Sequence, residues 1–225
     1  TAGAGNGPGV ALGRGASGAG KIYLSLGARV VSGKYFRAVP PSDAFRTLIS
    51  PTGSCFMLET VLRSGMQLVD WIVRTTGSPS AAALEKAAIE VAAGSDGLLV
   101  MPYWAGVMSP YWDGAARGAI VGLSLDHEPK HLFRAVLEGI AFEQAIATDA
   151  MEEQTGKAGA MIAAGGGTNS TLLMQIMASV LERPLFVSPV TEAAALGAAM
   201  LAASAVGWFA SPQEAAKAMA APPAR

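Results

Sequence analysis

The sequence predicts an α/β domain, and three observations lead there. Short apolar runs rich in branched and aromatic side chains, at Ile22 to Leu26, Leu98 to Met101, Ala160 to Ala164 and Leu185 to Ser188, have strand character. Between them lie stripes of helical period, at Ala81 to Ala93, Lys130 to Thr148 and Leu172 to Val180. With 225 residues, 51% apolar and 15% charged, the chain can bury a substantial core.

The same composition narrows the function classes. A formal net charge of -1 with scattered basic residues argues against nucleic acid and against an anionic membrane surface. With Cys55 as its one cysteine the chain cannot form an internal disulfide, which fits a reducing compartment and a packed side chain. No apolar run reaches the roughly 18 residues of a membrane span, so a cytoplasmic protein is expected.

The first 33 residues are dense in glycine, with apolar runs at Val10 to Leu12 and Ile22 to Leu26. They read as strand, tight turn and strand. Gly15 to Lys21 imitates the spacing of a phosphate-binding P-loop, but Ile22 stands where a Ser or Thr should hold magnesium, and a strand follows instead of a helix. Turn glycines are the better reading. From 54 to 75 a strand gives way to a helix whose stripe includes Leu62, Met66, Val69 and Ile72. Ser80 caps the helix at 81–93, which Gly94 ends. Pro102 to Gly118 mixes proline, glycine and aromatics, the composition of an ordered loop folded onto the domain.

In the long helix, Leu132, Val136 and Ile140 share a face with Phe133 and Leu137, and Glu138 lies in that stripe. A carboxylate there is expected to be paired, in a structural role. Lys130, His131 and Arg134 read as the exposed side. His127 and His131 are the two histidines, too few for a histidine-rich metal site. The strand at 160–164 then runs into Gly165-Gly166-Gly167-Thr168-Asn169-Ser170 and a helix. Strand, glycine turn and helix start gather backbone N–H groups at the positive end of a dipole, which suits a phosphate or a polar ligand edge. An ordinary turn capped by Asn169 or Ser170 fits these residues equally well. Small side chains from Glu192 to Ala199 permit close packing, and Pro212 to Arg225 reads as a capped helix with a Pro/Ala-rich tail.

Five ordered segments resemble the carboxy-terminal domain of the FGGY carbohydrate kinases, xylulokinase-like members among them. They are the glycine-rich opening with Tyr23 to Gly27, Pro102-Tyr103 with Ser109-Pro110-Tyr111, the signature from Gly118 to Glu138, Gly165 to Gly167, and Glu192 to Ala199. The resemblance covers residues 1–210, with 211–225 as a terminal helix and mobile tail. It implies an actin-like ATPase or ribonuclease-H-like fold, a mixed sheet flanked by helices, as the second half of a two-domain kinase. It also implies ATP with Mg2+ as cofactors, a sugar acceptor such as a pentulose, and an amino-terminal domain that this chain lacks. An isolated half of this kind would expose an apolar wall, so a homo-oligomer is possible.

Carried over by residue, the resemblance assigns Gly27, Ala28, Gly165, Gly166, Gly167 and Asn169 to the nucleotide. It sets Asn6 at the position of the aspartate that accepts the sugar's proton. An amide is not a useful base, and Ala28 lacks the hydroxyl the family places near the phosphates. Arg29 beside it could supply charge to a phosphate. The resemblance therefore implies a transferase impaired in this chain, or a catalytically dead nucleotide-binding or structural homologue.

Overall fold

The computed structural model describes residues 6–14, 20–51, 53, 55–190 and 192–221, with the Asn6 side chain outside that description. Its strands are β1 (Lys21–Leu26), β2 (Val30–Phe36), β3 (Arg46–Ile49), β4 (Phe56–Leu62), β5 (Leu99–Met101), β6 (Ala119–Val121), β7 (Ala160–Ala164) and β8 (Leu185–Val187). Six of them form one mixed sheet in the order β3-β4-β2-β1-β7-β8, and β5 pairs with β6 separately. β1 runs antiparallel to β2 and parallel to β7, with Tyr23 opposite Gly33 on one side and Ile162 on the other. The helices are α1 (Asn6–Gly13), α2 (Gln67–Thr76), α3 (Ala81–Ala88), α4 (Pro129–Thr155), α5 (Thr171–Val180), α6 (Ala193–Ala205) and α7 (Pro212–Met219).

Strand alternation divides β1 between two cores. Ile22, Leu24 and Leu26 face α4, α2 and α5, in a cluster with Phe133, Val136, Ile140 and Leu173. Tyr23 faces the opposite layer, with Val10, Ala11 and Ala193. Complete burial of each such side chain contributes about 1.5–3 kcal/mol, so these two faces fix the orientation of β1. On the α4 side a polar patch is internally satisfied. Gln144 donates to Ser32 Oγ (2.9 Å) and Thr148 Oγ1 (2.8 Å), and Ser32 bonds Thr60 (2.7 Å). Lys34 donates to the Thr155 and Gly156 carbonyls (3.2 and 2.6 Å), closing the carboxyl end of α4.

The run from Val10 to Leu12 is helical, not the strand its composition suggests. Pro8 lies in the first turn of α1, where a missing N–H costs least. Tertiary packing supplies the rest. A Cβ at Gly13 would lie 2.0 Å from the Ala193 carbonyl oxygen, and one at Gly197 would lie 2.0 Å from that of Gly9. α1 and α6 therefore touch backbone to backbone, an approach only small residues allow. α7 covers them through Ala215 and Ala216, against Leu12, Met200 and Leu201.

Three further sequence expectations shift. Leu62 closes β4 and does not join the stripe of α2, because Gly65 holds the intervening turn against the backbone of Arg29 and Val30. α3 stops at Ala88, five residues before the expected end, and Gly94 turns with φ +87°. His131 is buried and the Arg134 side chain only 11% exposed, since Asp96 and Glu138 supply partners that helical period alone does not reveal. Among the described residues, no helix is long and apolar enough to cross a membrane.

Candidate nucleotide site

The site is built where β1 and β7, running in parallel, both end. Branching from β7, Gly165 adopts φ +101° and ψ 173°, a conformation available only to glycine. Its Cα also presses on β1, where an added Cβ would lie 2.7 Å from the Leu26 carbonyl oxygen. Gly166–Asn169 then forms a single 3-10 turn, and Ser170 caps α5 by accepting from the Leu173 N–H (3.1 Å). Across from it, the β1–β2 turn at Gly27 to Arg29 is held by the β4–α2 connection. Gly65 N–H donates to the Ala28 carbonyl (2.9 Å) and Met66 N–H to that of Gly27 (3.0 Å).

Between the bend and α2 and α3 lies a cleft of about 280 Å³. Val69, Ala81, Ala82, Phe133, Leu137 and Leu173 give it apolar walls, and Gly166, Gly167, Asn169 and Ser170 form its rim. Asp70 and Glu85 are the acidic side chains of the lining. Glu85 Oε1 accepts the Leu172 N–H (2.9 Å), so the first turn of α5 already holds a carboxylate and a hydroxyl. A carboxylate at a helix start is itself stabilised by the dipole and repels a second anion there. The start of α5 is thus unsuited to a phosphate, and the bend suits the uncharged end of a ligand.

A second cleft, of about 410 Å³, opens on the opposite face of the sheet. Gly7, Tyr23, Ser25, Gly27, Ala28, Arg29, Arg46 and Glu59 contribute to it. Glu59 is fully buried, and its carboxylate accepts from Arg46 Nε (2.6 Å), from Arg46 Nη2 and from the Tyr23 hydroxyl. Burial, and then the Glu59 charge, push the Tyr23 phenol far above its ordinary value of 10.0, so it stays a donor. Gly7 lies directly against this carboxylate, since a Cβ there would sit 1.8 Å from Glu59 Oε1. The first turn of α1, which begins at Asn6, is thereby seated beside Glu59 and next to the cleft. The two clefts meet at the β1–β2 turn, which borders the second and is bonded to Met66 of the first.

Gly27, Ala28, Gly165, Gly166, Gly167 and Asn169 therefore gather at one edge of the sheet. Asn6 is placed only through its backbone, at the start of α1, and Gly3 to Gly5 lie outside the described residues. Of the P-loop imitation, 15–19 also lie outside, while Lys21 opens a strand as its sequence suggests. Sequence reasoning missed Glu59, although a carboxylate inside the apolar run of β4 was a usable signal. It missed Glu85 too, which reads as an ordinary exposed helix residue.

The Gly118 to Glu138 signature acts on packing. A Cβ at Gly118 would lie 2.0 Å from the Trp104 ring, which stacks edge-on with Trp71 at 5.1 Å. Gly122, at φ +92°, leaves no room before the Gly97 carbonyl. Glu138 accepts from Arg134 Nε (2.8 Å), Gly94 N–H (3.1 Å) and Ser95 Oγ (3.1 Å). That is the paired, structural role its sequence position implies. The signature contributes to the 280 Å³ cleft through Phe133 and Leu137, which line it. A larger groove of about 460 Å³ beside Glu138 shares no glycine of the bend.

Comparison with known proteins agrees with this architecture. The profile of the FGGY family of carbohydrate kinases, C-terminal domain, matches residues 35–206. A glycerol kinase of Solidesulfovibrio magneticus is 38% identical over 167 residues, covering 73% of this chain and 33% of that protein. The ligand-bound xylulose kinase of Lactobacillus acidophilus superposes with a TM-score of 0.89 at 25% identity, over 99% of this chain and 46% of its own. Plasmodium falciparum glycerol kinase with ADP superposes at 0.83 over 98% of this chain and 46% of its own, and at 22% identity shows the fold alone. This chain thus spans about a third of the length of the glycerol kinase it matches and under half of the solved kinases. With a mixed sheet flanked by helices, as in the actin-like ATPases, and a family profile over most of its length, the chain belongs to the FGGY family of carbohydrate kinases as a carboxy-terminal domain.

Proposed function

We propose that this chain is the nucleotide-binding half of an ATP-dependent kinase that phosphorylates a sugar hydroxyl, a pentulose being the acceptor of first choice. One observation carries the reading. The glycine bend lies in backbone contact with Leu26, the last residue of β1, next to the β1–β2 turn and at the carboxyl ends of two parallel strands, the place where open α/β sheets hold ligands. The base and ribose enter the 280 Å³ cleft, and the phosphates extend over Gly27 and Ala28 toward Arg29. The ADP named with the Plasmodium kinase supports a nucleotide on this fold. Among the described residues no three His, Cys, Asp or Glu side chains converge on an ion site. Mg2+ would be carried by the phosphates and the amino-terminal domain.

Transfer requires the acceptor oxygen to bond the γ-phosphorus while the bond to the β-phosphate oxygen breaks and the hydroxyl proton leaves. Asn6, at the position the family gives to its aspartate, does not take that proton. Glu59 lies against Gly7, the residue after Asn6, but is committed to Arg46 and Tyr23. Loss of a general base lowers rate by about 10²–10⁴-fold, so transfer is impaired in this chain. Asn6 and Ala28 together also favour a second reading, a homologue that binds nucleotide without turning it over. ATP consumption by the full-length protein, assayed with D-xylulose and glycerol, separates the two. In the kinase reading Asn6→Asp raises turnover at least about 100-fold. A protein as fast with Asn6 as with Asp overturns the assignment of that position. Absence of nucleotide binding in both forms overturns both readings.

A further inference from the structure

We infer that Glu85 selects the base held in the glycine-bend cleft, favouring a purine that carries an amino group at its six position over one that carries a carbonyl there. The inference rests on the nucleotide reading above and extends it to a residue outside the glycine bend. Glu85 stands half-buried on α3, where it lines the cleft together with the rim residues Gly166, Gly167 and Asn169. Its carboxylate is not a loose surface charge. The Leu172 N–H anchors Oε1 from α5 (2.9 Å), and among the described residues it is the one hydrogen-bond donor to the Glu85 carboxylate. Oε2 is left with full accepting capacity at a fixed place on the wall.

The chemistry of the remaining lining sharpens the selection. Met66, Val69, Ala81, Ala82, Phe133, Leu137 and Leu173 offer no strong side-chain donor, and the donors Asn169 and Ser170 belong to the rim. On the α2 and α3 walls the polar side chains are Asp70 and Glu85, which when ionised only accept. A ligand edge facing those walls must bring the proton. An exocyclic amine does so and gains a charge-assisted bond. A carbonyl oxygen at the same place meets a carboxylate oxygen with no proton between them. Asp70 is exposed, whereas Glu85 is half-buried and held by the backbone, which assigns the selection to Glu85.

Titration calorimetry of the purified protein with ADP and with inosine diphosphate tests this, since the two differ at the six position and the adjoining ring nitrogen. The unaltered protein is expected to bind ADP about 10-fold or more tightly than inosine diphosphate. In Glu85→Gln the amide still accepts from Leu172 N–H, so the helix contact survives, but it also donates to a carbonyl. The preference then falls to about threefold or less, chiefly through tighter inosine diphosphate binding. Asp70→Asn leaves the preference in place. Equal affinities in the unaltered protein, an unchanged preference in Glu85→Gln, or a preference abolished by Asp70→Asn alone each overturn the role of Glu85 while the nucleotide site stands. If neither diphosphate binds the folded protein, the nucleotide reading fails and takes the inference with it.

Discussion

Replacing Glu138 with glutamine should unfold this domain more readily without touching its ligand. The side chain is 6% exposed and that of Arg134 is 11% exposed, so neither charge has much access to water. Three donors converge on the carboxylate: Arg134 Nε, the Gly94 N–H and the Ser95 hydroxyl. Glutamine keeps one acceptor oxygen, removes the charge and turns an NH2 toward a donor. Arg134 is left as a buried cation without its counter-charge, and breaking such a pair from one side costs about 3–5 kcal/mol. The Ala88 carbonyl, at 3.5 Å from Arg134 Nη1, offers a weak alternative acceptor. A loss near the lower end, about 3 kcal/mol, is expected in urea unfolding at neutral pH, with the slope against denaturant unchanged. Because Glu138 does not line the glycine-bend cleft, ADP affinity per folded molecule should stay within about threefold of the parent. Arg134→Leu combined with Glu138→Leu should recover part of the loss, since no uncompensated charge remains. A Glu138→Gln protein as stable as the parent but unable to bind nucleotide would refute the structural assignment of this carboxylate.

Gly118→Ala should destabilise the domain by about 1–3 kcal/mol and alter the near-ultraviolet circular dichroism, because the new methyl enters the Trp104 ring and disturbs its contact with Trp71. Gly197→Ala should cost at least as much in thermal unfolding, for its methyl meets the Gly9 carbonyl, a backbone atom that moves only if α1 and α6 separate. Glu152 makes stability dependent on pH. Burial pushes its carboxyl up, but bonds from Arg183 and the Ala158 N–H, with the nearby charges, outweigh burial and hold it below its ordinary 4.5. A folded-state value below the unfolded one gives stability that is complete above 4.5 and is lost as pH falls through the lower, folded value. The advantage of the parent over Glu152→Gln in urea unfolding should therefore shrink as pH drops below 4.5, and an advantage that grows on acidification would contradict the pairing.

What the sequence revealed, and what it hid, follows from the range over which each interaction acts. β1, β7, α4 and the glycine bend were legible because their periods and turn residues are local. The helical state of α1 is not legible locally, because it depends on Gly9 and Gly13 meeting Gly197 and Ala193, almost two hundred positions away. β3 escaped notice since it is a four-residue edge strand with mostly exposed side chains. The covered positions of His131 and Arg134 on α4 are likewise hidden, as helical spacing does not report that Asp96 and Glu138 pair with them. Within the site, the glycines and Asn169 carried a recognisable pattern. Glu59 and Glu85 did not, because the partners that define them, Arg46, Tyr23 and Leu172, come from other elements of the fold.

Gly166→Phe addresses the placement of the nucleotide most directly. A Cβ at Gly166 meets nothing within 4 Å, so a large side chain can project into the 280 Å³ cleft without straining the backbone. Titration with ADP should give saturable binding to the parent and none to Gly166→Phe, while the two melt at the same temperature without ligand. Undiminished ADP affinity in a normally folded Gly166→Phe protein would show that the nucleotide binds elsewhere.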